Sequence, residues 1–165
     1  MSAPNDADLR SRAWAAAAAV VDPEIPVLTI VDLGVLREVR VENGAVEVFI
    51  TPTYSGCPAM DMIAVEIALA LEKAGFRAPK VTRVLSPAWT THWISEEGKA
   101  KLERFGIAPP RGQAERRALF AEARVSCPRC GSQATSRISE FGSTPCKALY
   151  RCTACAEPFD YFKCI

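Results

Sequence analysis

The chain has 165 residues, 49% of them hydrophobic and 24% charged, with a formal net charge of +1. That length suits one domain with its own core, or a domain carrying a small extra module. A charge so near neutrality gives no electrostatic footprint for nucleic acid or an anionic membrane, and no apolar run reaches the roughly 20 residues that span a bilayer; the expectation is a cytoplasmic protein with neither as partner.

Arg10 and Arg12 precede "AWAAAAAVV", which superficially resembles a short signal peptide. Asp6 and Asp8 sit where such a peptide would be basic, and the run is mostly alanine. The better reading is a helix over 7–20 with Asp6 as N-cap, stopped by Pro23 and Pro26. The loop "DPEIPVLTIVDLG" that follows carries three carboxylates, Asp22, Glu24 and Asp32. Next, "VLREVRVENGAVEVFIT" places two alternating runs around Asn43-Gly44, the preferred pair for a type I′ hairpin turn. A two-residue turn there sets Val41 opposite Val46 and Val39 opposite Val48, with Arg40 opposing Glu47 as a favourable cross-strand pair.

In "TPTYSGCPAMDMI", Cys57 stands between Gly56 and Pro58, and Pro58 suits the first position of a helix. The spacing predicts a helix to about Ala74, ended by Gly75. Met60, Ile63, Ile67 and Leu71 form one stripe, which Met62, Val65 and Leu69 are expected to widen into a largely buried helix. A strand near Lys80 to Leu85 follows. "SPAWTTHWIS" then leads into a short helix from Glu96 to Phe105, with Ser95 as N-cap and Gly106 as stop. "GIAPPRGQ" reads as a boundary. The expected organisation is a domain over 1–108, a linker over 109–124 that contains a helix from Ala114 to Arg124, and a cysteine module over 125–165.

Six of the seven cysteines lie in the last 39 residues, a tail too short to build a stable core unaided. It contains "CPRCG" and, 21 residues on, "CTAC". Two CxxC turns at such a separation predict a closed tetrahedral site of Cys127, Cys130, Cys152 and Cys155. Structural zinc is the expected occupant, with a single rubredoxin-like iron as the alternative. An odd cysteine count with paired CxxC turns fits metal binding better than a disulfide framework. Cys146 and Cys164 remain. If "CKALYRC" pairs with "EPFDYFKC", Tyr150 faces Phe159 and Cys146 falls beside Lys163 or Cys164. The two thiols are then either small hydrophobic residues near a hairpin end or a second pair for redox or transient cluster ligation.

The role of Cys57 stays open at this level between a buried small residue, a nucleophile and a metal ligand. A cysteine at a helix N-cap meets unpaired backbone N–H groups and the positive end of the dipole, and both favour thiolate. Asp61, one turn on, is a hydrogen-bond partner, a second ligand, or simply a charge that complements the helix dipole. His92, the only histidine, has no nucleophile paired to it by spacing, so a thiol-dependent enzyme lacks a convincing base. Trp89 and Trp93 are core or interface residues before they are a stacking platform.

"DPEIP", "IVDLGVL", the Asn-Gly hairpin, "ITPTYSGCPAMDMI" and the strand before "SPAW" resemble, in that order, the domain of SufT and the cytosolic iron–sulfur targeting factors, over residues 8 to 106. "AWTTHWISEEGKAKLERFGIAPP", "CPRCGS" and "SEFGSTPCKALYRCTACAEPFDYFKCI" resemble the PaaD/PaaJ family, one of the subunit families of phenylacetyl-CoA epoxidase (phenylacetate-CoA oxygenase) systems. The resemblance implies an α/β (α+β) fold, with a small mixed sheet packed by helices and a C-terminal zinc-ribbon-like β module. It implies a non-catalytic accessory role in phenylacetate degradation, assisting iron–sulfur cluster or iron-centre assembly. The partners it implies are the oxygenase or reductase subunits and the iron–sulfur assembly machinery. The family's reactive cysteine maps onto Cys57, for transient iron or cluster handling, and its acidic loop onto Asp22, Glu24 and Asp32. The ribbon, with Trp89, Trp93 and Tyr161 as candidate contacts, would dock the client. The alternative is a stably bound structural subunit of the oxygenase complex.

Overall fold

Asn43 and Gly44 both adopt positive φ, 51° and 78°, as a two-residue type I′ turn requires. The turn joins β1 (Leu36–Glu42) and β2 (Ala45–Ile50) in the predicted register, with Val39 opposite Val48 and Arg40 opposite Glu47. The side chains of that last pair go elsewhere. Arg40 reaches along its own strand to Glu38 at 2.8 Å and lies over the Phe49 ring, while Glu47 pairs with Lys80 at 2.8 Å. Residues two apart share a strand face, so Glu38 competes for Arg40.

The structure is a computed structural model and describes residues 5–110 and 125–163. It divides into two units at Ser95/Glu96. In the first, β3 (Lys80–Arg83) runs parallel to β2, giving a mixed sheet of order β1-β2-β3, with α2 (Ala59–Lys73) as the crossover. The helix α1 (Asp6–Ala18) packs against β1 and α2 through fully buried Ala13 and Ala17. Its N-cap is Asn5, whose Oδ1 accepts the Asp8 N–H at 2.8 Å, and not the expected Asp6. Arg12 of α1 donates to the Ala74 carbonyl at 2.8 Å and covers the Phe76 ring, a cation placed at the α2 C-terminus.

The inner stripe of α2 is buried as predicted, with Met60, Ile63, Ile67 and Leu71 each at most 2% exposed. Full burial of such side chains contributes roughly 1.5–3 kcal/mol apiece. Met62, Val65 and Leu69 are a correction, for they expose 54%, 55% and 42%. A three-stranded sheet covers one side of the helix only. The segment after β3 straps the loop that precedes β1. The Trp89 Nε1–H donates to the Leu33 carbonyl at 2.7 Å, and the Arg37 guanidinium stacks 3.7 Å from the Trp93 ring centre. Gly34 sits at φ +69°, and a Cβ there would meet the Trp93 Cβ at 2.6 Å, so this close approach requires glycine.

In the second unit, α3 (Glu96–Phe105) ends at Gly106, whose φ is 89°. β4 (Ile107–Ala108), β5 (Thr135–Ser139), β6 (Lys147–Cys152) and β7 (Pro158–Phe162) form a sheet of order β4-β7-β6-β5. Because Ile107 and Ala108 pair with β7, α3 and β4 group with the cysteine module, whereas the boundary expected from sequence stood after residue 108. Tyr150 lies opposite Phe159 in the expected register, and the Lys163 N–H donates to the Cys146 carbonyl at 3.0 Å. Tyr150, Phe159 and Tyr161 form an aromatic cluster in this unit's core. The expected helix over 114–124 and Cys164 lie outside the described residues. Among the described residues, no helix is long and apolar enough to cross a membrane.

Candidate functional site

The four CxxC cysteines converge from two knuckles. At the first, the Gly131 N–H donates to the Cys127 carbonyl and the Cys127 N–H to the Ser132 carbonyl, both at 2.9 Å. At the second, on the turn between β6 and β7, the Cys152 N–H donates to the Glu157 carbonyl at 2.9 Å. All four sulfurs lie within 4.8 Å of one another, with Cys127–Cys155 at 3.8 Å and Cys130–Cys152 at 3.6 Å. Four sulfurs placed about 2.3 Å from a central ion stand about 3.8 Å apart, so the donor set and its spacing fit a tetrahedral metal.

Protons are shared unequally in this cluster. The Cys152 thiol is pulled down to about 7, first by the Cys155 backbone N–H and also by that of Ala154. For Cys130, the Ser132 N–H acts to lower the value, yet bonds to the neighbouring thiols and burial outweigh it and push it up to about 12. A metal replaces these shared protons with four thiolate bonds. Cys146 stands apart from the cluster, buried, with its sulfur 3.0 Å from the Thr144 hydroxyl.

Cys57 occupies the turn from β2 into α2. Its backbone N–H donates to the Tyr54 carbonyl at 3.3 Å, and Pro58 is the N-cap, so Cys57 sits one residue outside the expected cap position. The residue is buried, and burial pushes its thiol up. The Ala59 backbone N–H and the Tyr54 hydroxyl act in the opposite direction, while the Glu24 and Asp22 carboxylates raise it further. The net shift is upward, against the expectation of a favoured thiolate: loss of water and two carboxylates from a distant loop outweigh the helix-mouth donors.

Of the predicted acidic residues, Asp22 and Glu24 are therefore brought to Cys57. Asp22 also organises its own loop, its Oδ1 accepting the N–H groups of Glu24 at 2.7 Å and Ile25 at 2.9 Å. Asp32 is engaged differently. Its Oδ2 accepts the Thr29 N–H and hydroxyl, each at 2.9 Å, and its Oδ1 accepts the Ser95 hydroxyl at 3.3 Å. Asp61 is exposed and pairs with Arg83 of β3. His92 is exposed on a single 3-10 turn over Thr91–Trp93. Trp89 and Tyr161, expected as docking contacts, are only 4% and 7% exposed; both belong to cores, leaving Trp93 partly accessible. Sequence reading missed Tyr54, whose only signal was its place three residues before Cys57 in a glycine-containing turn.

Two family models match the chain. Residues 10–84 match an iron-sulfur cluster assembly protein family, and residues 111–163 the PaaD zinc beta ribbon domain. A curated protein of Escherichia coli K12, named as a subunit of 1,2-phenylacetyl-CoA epoxidase, is 50% identical over 152 residues, which is 92% of this chain and 91% of that protein. The chain belongs to the PaaD family.

The N-terminal unit of this PaaD-family chain has wider kin. A Porphyromonas gingivalis W83 protein named "Fe-S protein maturation auxiliary factor" is 36% identical over 85 residues, 50% of this chain and 80% of that protein. The crystal structure of a domain of unknown function, DUF59, from Bacillus anthracis aligns at a TM-score of 0.54 with 27% identity, covering 59% of this chain and 93% of that one. The PaaD ribbon match contains all four converging cysteines, and the assembly-family match contains Cys57, Asp22 and Glu24.

Proposed function

We propose that this chain is a non-catalytic maturation subunit of a phenylacetyl-CoA epoxidase system, which delivers iron or an iron–sulfur cluster to a client oxygenase or reductase subunit. The observation that carries the reading is the buried Cys57 thiol with Asp22 and Glu24 beside it, in a unit that matches the iron–sulfur assembly family. A thiol that stays protonated at neutral pH resists adventitious alkylation and oxidation. An arriving iron species supplies the positive charge that the two carboxylates favour, and its binding displaces the thiol proton. The cargo is thus held by one soft ligand, which suits transfer better than permanent binding.

The four-cysteine site is assigned to structural zinc, held by Cys127, Cys130, Cys152 and Cys155, which stabilises a module with little apolar core. The test of the carrier role is co-production of the client subunits with wild type or Cys57→Ser, followed by iron and acid-labile sulfide analysis of the client. The name of the Escherichia coli relative, as a component of the epoxidase, also favours a second reading, a stably bound structural component. Co-purification at fixed stoichiometry with the mature complex supports that second reading, and loss of the chain after maturation supports the first.

A further inference from the structure

The outer face of α2 is apolar as well as the inner one. Met62, Val65 and Leu69 expose 54%, 55% and 42% of their surface and follow one another at helical spacing, so they form a continuous ridge. Beside that ridge runs a groove of about 460 Å³. Ala16 and Ala19 from the α1 side and Ala70 of α2 line it, and these small side chains leave depth for a residue from outside. Glu66 and Lys73 also line it, two helical turns apart and opposite in sign. Neither makes an ion pair among the described residues.

We infer that this chain forms a two-fold homodimer through α2, the ridge of each copy entering the groove of the other. A ridge lying beside a groove on one surface is what a two-fold axis converts into mutual interdigitation. Charge selects the antiparallel arrangement. With the axis between Leu69 and Ala70, Glu66 meets the partner's Lys73 and Lys73 meets the partner's Glu66. The same register sets Leu69 over the partner's Ala70, a large residue into a shallow spot. A parallel copy would set Glu66 against the partner's Glu66 and Lys73 against the partner's Lys73.

Sedimentation velocity of the full chain across the micromolar range tests this. Wild type is expected to dimerise and Leu69→Glu to run as a monomer. Glu66→Lys and Lys73→Glu each repel across both symmetry-related contacts and weaken association by roughly ten-fold, whereas the double swap restores it. Circular dichroism and thermal melting establish that each variant is folded, and if Leu69→Glu is not, the charge swaps alone decide. A wild type that stays monomeric overturns the inference, including the case in which this face binds a client protein instead. So does a dimer that survives Leu69→Glu, or a double swap no tighter than the singles.

Discussion

The Glu24 carboxylate stands close enough to the Cys57 thiol to oppose its ionisation. Burial acts in the same direction and more strongly, so the thiol lies above its ordinary range in spite of the Ala59 N–H. Thiolate therefore accumulates only as pH climbs past the raised value. Alkylation of Cys57, followed by mass mapping of its peptide, is expected to be slow at neutral pH and to rise into the alkaline range. Glu24→Gln removes one raising charge and shifts this profile to lower pH, with a roughly two- to five-fold faster reaction at a fixed mildly alkaline pH. A profile unmoved by Glu24→Gln would show that the carboxylate does not sense the thiol.

Cys127→Ala removes one corner of the four-sulfur cluster. Because metal binding contributes on the order of 10 kcal/mol to folding a module of this kind, the variant is expected to lose order across the ribbon while the N-terminal unit keeps its fold. Amide chemical shifts, or limited proteolysis with mass mapping, separate the two units. A strong chelator should reproduce the pattern in wild type. A ribbon that stays protected and metal-bound in Cys127→Ala refutes the ligand assignment.

Trp89→Phe keeps the ring but deletes the donor to the Leu33 carbonyl, a bond of 2.7 Å in a buried setting. An orphaned buried carbonyl costs about 1–3 kcal/mol, read as a lower denaturation midpoint in urea. Unchanged stability would mean that the strap is not held by this bond.

Gly34→Ala combines a left-handed backbone with a Cβ 2.6 Å from that of Trp93. The expected loss is about 2 kcal/mol or more. Thermal melting checks it, and a neutral effect would contradict the close packing of the strap.

The hairpin was fully legible because Asn-Gly fixes the turn, and the turn fixes register; the ribbon pairing and the convergence of the four cysteines were legible from spacing in the same way. What failed depended on contacts remote in sequence. The helical period of α2 marked Met62, Val65 and Leu69 as apolar but did not say that the sheet covers only one side of the helix. Arg40 had a same-strand rival in Glu38, and Glu47 a third-strand partner in Lys80. The helix mouth suggested a thiolate at Cys57, whereas burial and two carboxylates more than thirty residues away reversed the sign. Nothing local marked Trp89 as a core residue bound to Leu33.

The most direct test of the carrier role is the iron and acid-labile sulfide content of the client oxygenase system matured with Cys57→Ser in place of wild type. The fold and the ribbon metal should be unchanged, since Cys57 lies outside the four-sulfur cluster. The expected result is a client markedly poor in cluster. A client with normal cluster content, matured by a folded and metal-loaded Cys57→Ser chain, would contradict the carrier role.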